Sequence, residues 1–211
     1  MRKWTLLGAL VVILCGAAAF LFVRGFDWPN SPWAKGTVIE TQDGVPVYDN
    51  GPIFSISHGR SFAADGTYFG QKWQCVEFVK RYLYTARGHV MPNGMGNAAS
   101  FFDGDTPQGA LNEKRGMLQY RQGGTEPPRR GDLIVFAAVA GYGHVAIVSD
   151  IASDTIEIVQ QNASPPRQRL PMTVVDGGYR VDHSSPTLGW LRVPSMQANA
   201  SLAGEAERAF N

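Results

Sequence analysis

The sequence predicts an α+β domain in which helices pack on an antiparallel sheet. Three observations carry this. Residues Trp73–Arg87 repeat apolar side chains at helical spacing. After Pro127-Pro128 the period changes to short β-rich runs separated by turn residues. The chain's 24 glycines and 13 prolines fit a loop-rich domain. With 44% hydrophobic residues in a chain of 211, a sizeable core can form. The net charge of +1 gives no sign of nucleic-acid binding or an acidic tail.

The N-terminus stands apart. Arg2 and Lys3 precede an uncharged run from Trp4 to Val23, closed by Arg24. About twenty apolar residues is the length that crosses a bilayer core, and the basic flank predicts a cytoplasmic N-terminus. The alternative is a signal peptide cleaved after Ala17-Ala18-Ala19. The run stays apolar through Phe20–Val23, beyond that site, which favours a retained anchor. Either way the remaining chain is expected to be exported, at the membrane or secreted. Leu14 stands where a lipoprotein signal needs a small residue, which argues against lipidation of Cys15.

Phe26 to Lys35 reads as a linker. Thr37–Glu40 and Val45–Tyr48 read as strands around the turn Asp43-Gly44. Pro52–Gly70, rich in glycine and aromatics, reads as loop lining a cleft. In the helix, Cys75, Phe78, Val79, Tyr82 and Leu83 form one apolar stripe, with Glu77 and Arg81 on the other face. Gly88 is its stop signal. Asn97 can cap a second short helix with Ala98, Phe101 and Phe102 inward. Gln108–Gly124 has no clean period, and part of it reads as helix. Asp132–Ala138, His144–Ile151 and Thr155–Gln161 read as an antiparallel meander, completed by Tyr179–Asp182 and Gly189–Val193. The tail after Pro194, rich in Ala and Glu, reads as a short helix or as disordered.

Two short segments carry the chemistry. Lys72-Trp73-Gln74-Cys75-Val76-Glu77-Phe78 puts a cysteine in the first turn of a helix. There the unpaired N–H groups and the positive end of the dipole favour a thiolate and can hold an oxyanion. Gly143-His144-Val145-Ala146-Ile147 puts a histidine at the start of an apolar strand, on a face it shares with Ala146 and Val148. Cys15 and Cys75 are the only cysteines, so Cys75 is expected to lack a disulfide partner within the exported part. A histidine acting as base needs a partner that fixes its tautomer. Gln160 and Asn162 share a parity, and either can accept a bond from the His144 ring; Glu157 has the other parity and faces away. Tyr68, Phe69, Gln71 and Trp73 are candidates for the cleft lining. His58, His89 and His183 lack a comparable setting. No cluster has metal-ligand spacing, and no cofactor is expected.

At these residues the chain resembles a known family, the CHAP (cysteine, histidine-dependent amidohydrolase/peptidase) domains of the papain-like NlpC/P60 fold. Within it the chain is similar to the amidase domain of glutathionylspermidine synthetase/amidase. The matching pieces are the two segments above with Gly96-Asn97-Ala98, Gly131-Asp132-Leu133-Ile134, Gln161-Asn162 and Leu188-Gly189-Trp190. The resemblance implies a nucleophile at Cys75, a general base and acid at His144, and Asn162 and Gln160 around the imidazole. Gln74, Gln71 and Trp73 are assigned to the oxyanion site and cleft. The family often carries glutamate where this chain has Gln160, a departure that removes a charge from the histidine's partner. The expected layout is an anchor or signal peptide at 1–25, a linker at 26–35, the CHAP amidase domain at 36–194 and a tail at 195–211. The expected substrate is an amide, either a cell-wall peptide or a glutathione–polyamine conjugate, for which Asp65, Asp103 and Asp105 are the nearby acidic candidates. The alternative is a module of the same fold that binds without catalysis.

Overall fold

The computed structural model describes residues 35–138 and 141–195. The apolar run at 4–23, the linker and the tail after Ser195 lie outside the described residues. Among the described residues no helix is long and apolar enough to cross a membrane.

The domain opens with a hairpin of β1 (Val38–Gln42) and β2 (Val45–Tyr48). Its turn puts Asp43 and Gly44 at φ 49° and 78°. Two successive positive φ values are what a tight hairpin of right-twisted strands needs. The segment 52–70, expected as loop throughout, contains a second hairpin, β3 (Arg60–Phe62) and β4 (Tyr68–Gln71). These strands are too short for alternation to show.

Helix α1 (Cys75–Arg87) ends at Gly88, whose φ of 60° lets its N–H and that of His89 reach the carbonyls of Tyr84 and Leu83. The predicted stripe from Cys75 to Leu83 is buried against the sheet. The opposite face is also largely enclosed at Glu77. Glu77 is fully buried, accepting bonds from Arg81 (2.7 Å), Ser61 (2.9 Å) and Gln161 (2.8 Å). The second short helix is a single 3-10 turn, Ala99–Phe101, and Asn97 caps it by accepting the Ser100 N–H at 3.0 Å. Thus one α-helix, rather than several, packs on the sheet among the described residues.

The main sheet has eight strands in the order β11-β10-β9-β8-β7-β12-β6-β5, and every described pairing is antiparallel. The strands are β5 (Leu111–Asn112), β6 (Met117–Arg121), β7 (Leu133–Phe136), β8 (His144–Ile151), β9 (Thr155–Val159), β10 (Arg167–Val175), β11 (Gly178–Val181) and β12 (Thr187–Arg192). The stretch 108–124, read partly as helix, instead holds the short strands β5 and β6 joined by a turn. Its inward positions include Gln119, buried and bonded to Asn112 (2.9 Å) and Asp103 (2.6 Å), so no apolar alternation marks it. β10 escaped the sequence reading because only Leu170 and Met172 of its nine residues are buried.

The sheet curls so that the chain just past β6 meets β11: Gly123 donates to the Tyr179 carbonyl at 2.7 Å, and Tyr179 donates to that of Gly124 at 2.8 Å. Alternation along each strand then fills two cores. Leu133, Val135, Val145 and Ile147 face α1, while Ile134, Phe136, Ala146 and Val148 enter the curl around Trp190.

Candidate active site

Cys75 is the first residue of α1, and the Gln74 before it is extended (φ −81°, ψ 160°) with no side-chain cap. The first-turn N–H groups are therefore unpaired by any cap. Cys75 is a free thiol, 9% exposed. Burial pushes the thiol pKa up, while backbone hydrogen bonds from Val145, Val76 and Cys75 pull the other way. Two of these donors belong to the helix start. The third, Val145, follows His144 directly, so the β8 backbone touches the sulfur one residue from the imidazole.

His144 opens β8, across from Phe136 of β7. Gly143 before it has φ 72°, and a Cβ there would lie 2.7 Å from the Phe136 carbonyl oxygen and 2.8 Å from the Ala99 Cβ. Only glycine fits this close approach. The His144 Nε2 lies 2.9 Å from Gln160 Oε1. The Gln160 amide nitrogen donates to the Pro165 carbonyl at 2.9 Å, which leaves the oxygen for the ring. An amide oxygen only accepts, so Nε2 carries the proton and Nδ1 is the basic nitrogen. Burial lowers the His144 pKa to about 4, against the smaller upward pull of the Gln160 bond. At neutral pH the pair at rest is thus a thiol and a neutral imidazole.

Cys75 and His144 line one cleft of about 860 Å³. Gln160 and Asn162 do not share a role there. Past Val159, Asn162 adopts φ 60°, which ends the strand's alternation and turns its side chain away from the ring. The Asn162 amide donates instead to the Phe54 carbonyl (2.9 Å) and to Gln74 Oε1 (2.6 Å), and its oxygen accepts from Asn50 (3.0 Å). The parity argument held for Gln160 and failed two residues later.

The other expected cleft residues divide. The Gln74 amide nitrogen is committed to the carbonyls of Phe54 (3.1 Å) and Ile56 (3.0 Å), so it has no N–H left for an oxyanion. Gln71 lines the cleft, with its oxygen held by Ser57 at 2.6 Å. Tyr68 lines it too, whereas Phe69 packs on Tyr84 with ring centroids 5.3 Å apart. Trp73 does not line it; its ring packs on Tyr48 with centroids 4.2 Å apart. The acidic candidates are elsewhere: Asp65 takes Thr67 N–H and Tyr84 OH, both at 2.9 Å, and Asp103 pairs with Lys114 at 3.5 Å. No Asp, Glu, Lys or Arg among the described residues lines the cleft.

Two contributors were not visible as such in the sequence. Asn50 gathers the chain between 50 and 56, bonding Phe54 and Ile56 carbonyls at 3.3 Å each and accepting Trp73 N–H at 3.2 Å. Gln161 fixes the start of α1 against the end of β9, donating to the Gln74 carbonyl (3.1 Å) and Glu77 (2.8 Å). Neither has a periodic signature.

Residues 66–162 match the CHAP domain family. The bifunctional glutathionylspermidine synthetase/amidase of Escherichia coli (strain K12) is 30% identical over 142 residues, 60% of this chain and 23% of the relative. The trypanothione synthetase of Crithidia fasciculata is 26% identical over 167 residues, 72% of this chain and 26% of the relative. The chain thus spans about a quarter of the length of the curated relatives it matches. A solved structure, that of Ly7917, covers 56% of this chain and 51% of its own at 15% identity, with a TM-score of 0.29. The stretch that holds Cys75, His144, Gln160 and Asn162 is the stretch that matches the CHAP domain family.

Proposed function

We propose that the chain is a cysteine-dependent amide hydrolase. The observation that carries this is the joint placement of Cys75 at an uncapped helix start and His144 with a bare Nδ1 in one cleft, joined through the Val145 N–H on the sulfur. The similarity to proteins named as amidases supports the same reaction.

In the first step the Cys75 Sγ attacks the amide carbonyl as its proton passes to His144 Nδ1. A sulfur–carbon bond forms, and the oxyanion takes N–H bonds from the Cys75 backbone and the Gln71 amide. The carbon–nitrogen bond then breaks and His144 returns the proton to the leaving amine. Water, deprotonated by His144, attacks the thioester, releasing the acid and restoring the thiol. Because both partners are neutral at rest, proton transfer accompanies attack rather than preceding it.

Of the two substrate classes expected, the uncharged lining of the cleft favours a neutral peptide amide over a polyamine conjugate, which would call for carboxylates. The apolar run at 4–23, with Arg2, Lys3 and Arg24 beside it, supports a tether that holds the domain on the outer face of a membrane. A second reading, binding without catalysis, draws on Gln160, which cannot stabilise an imidazolium as a carboxylate does. Incubating the protein with cross-linked cell-wall peptides and, separately, with glutathionylspermidine decides among these. New carboxyl and amine termini from the peptides, absent with Cys75→Ala, are expected. Turnover of glutathionylspermidine alone would reverse the substrate assignment, and turnover of neither, with a thiol whose alkylation ignores His144→Ala, would leave the binding module.

A further inference from the structure

Asn162 has no bond to the imidazole, and its side-chain bonds go to the chain between residues 50 and 57 and to Gln74, which binds the same chain. The Phe54 carbonyl accepts from three carboxamides: Asn162 (2.9 Å), Gln74 (3.1 Å) and Asn50 (3.3 Å). The Ile56 carbonyl accepts from two of them, Gln74 at 3.0 Å and Asn50 at 3.3 Å. Asn162 closes the set by bonding both other amides, to Gln74 Oε1 at 2.6 Å and from Asn50 at 3.0 Å. His58 adds a contact to the Asn50 carbonyl at 3.0 Å. A surface segment without regular structure is ordinarily among the more mobile parts of a fold. This one is tied at two carbonyls to the residue before the nucleophile and to the residue two past the imidazole's partner.

The side chain presented by this segment is Phe54, 55% exposed and lining the cleft. Met95 (64% exposed) and Tyr142 (75% exposed) line the same cleft. Three large apolar side chains are thus held in solvent around one uncharged cleft, a cost that contact with an apolar group of the ligand would recover.

We infer that Asn162 is a positioning residue which, with Asn50 and Gln74, fixes segment 50–57 as a preformed wall, and that Phe54 on this wall selects substrates carrying an apolar side chain next to the scissile amide. The inference rests on the hydrolase reading for its substrate but not for its test, which reads the wall through the thiol alone.

The test alkylates Cys75 with iodoacetamide and with N-benzyliodoacetamide across pH. The ratio of the two rates reads the wall; the midpoint of the iodoacetamide profile reads His144. Wild type is expected to favour the benzyl reagent. Asn162→Gly keeps the positive φ and removes the amide, and Phe54→Ala removes the ring. Each is expected to lower the ratio on the order of tenfold and to leave the midpoint in place, whereas His144→Ala moves it. A midpoint shifted by Asn162→Gly would overturn the inference by making Asn162 a partner of the imidazole. A ratio near one in wild type, or unchanged by Phe54→Ala, would overturn it by removing the wall. Phe54 is exposed, so its variant remains informative if Asn162→Gly fails to fold. A midpoint that ignores His144→Ala would sink the hydrolase reading and leave the ratio to judge the wall.

Discussion

Gln160 Oε1 holds His144 Nε2 at 2.9 Å, and the Gln160 amide nitrogen is in turn held by the Pro165 carbonyl at 2.9 Å. The ring is therefore oriented by a neutral group whose own orientation is dictated from outside the site. The arrangement fixes the tautomer but supplies no charge to an imidazolium. Burial holds the His144 pKa down to about 4, and the neutral bond to Gln160 opposes this only in smaller part.

Gln160→Glu tests this balance. A carboxylate would strengthen the bond to a protonated ring by about 1 kcal/mol, close to one pKa unit. It would also lose the donor to Pro165 and place an acceptor against that carbonyl, a cost of about 1–3 kcal/mol in a side chain that is 2% exposed. The expected result is a His144 pKa raised above its wild-type value, faster Cys75 alkylation at neutral pH and a lower melting temperature. NMR titration of the imidazole and a thermal scan measure the two effects; a raised pKa without loss of stability would show that the Pro165 bond contributes little.

Stability should fall in mild acid. In the unfolded chain His144 binds a proton near its ordinary pKa of about 6.5, whereas in the fold it resists protonation until about 4. Between those values the unfolded state holds more protons, so stability rises with pH and is lost as pH falls through the window. His183, also lowered by burial, acts in the same direction. Urea unfolding at several pH values between 4 and 7 should show a steeper loss in wild type than in His144→Gln. Equal slopes would contradict the buried, neutral imidazole.

These groups mark the limits of what the sequence could reveal. The stripe from Cys75 to Leu83 and the run from His144 to Ile151 were legible because each buries a full face at a fixed period. Cys75 and His144 were legible for a related reason: both sit at the starts of regular elements. Gln119 and Arg115 were opaque because a buried polar side chain looks exposed until its partners are known. Asn162 was assigned by strand parity, which a single residue at positive φ cancels. The hairpin of β3 and β4 is three and four residues long, below the length at which alternation can speak.

Gly143→Ala should disable the site without touching a reacting atom. The added methyl meets the Phe136 carbonyl at 2.7 Å, and the φ of 72° is unfavourable for alanine. Strain of about 1–3 kcal/mol is expected, relieved by shifting the start of β8 and with it His144. The melting temperature and the His144-dependent part of Cys75 alkylation should fall together. A full rate with a lowered melting temperature would mean that the relief occurs on the Ala99 side instead.

Arg115 offers the strongest separation of fold from chemistry. It is 2% exposed and has no acidic partner among its described bonds. Its guanidinium donates to the carbonyls of Asn93 (2.6 Å), Met95 (3.1 Å) and Ser100 (2.8 Å) and lies 4.0 Å from the centroid of the Phe101 ring. Those carbonyls belong to the chain that supplies Met95, Gly96, Asn97 and Ala98 to the cleft. Ala99, at the end of that chain, donates to the Tyr142 carbonyl at 3.0 Å, two residues before His144. Arg115→Met would keep the apolar stem over Phe101 and orphan three carbonyls, a loss of about 2–4 kcal/mol. Arg115→Lys keeps the charge, but three donors on one nitrogen cannot span carbonyls that the planar guanidinium reaches from two. Both variants are expected to unfold at lower urea, Met more than Lys. In the folded fraction the pH midpoint of Cys75 alkylation should stay with wild type, because Arg115 acts on the chain from Asn93 to Ser100 and Gln160 on the ring. A moved midpoint would show instead that the contact from Ala99 to Tyr142 transmits the change to His144.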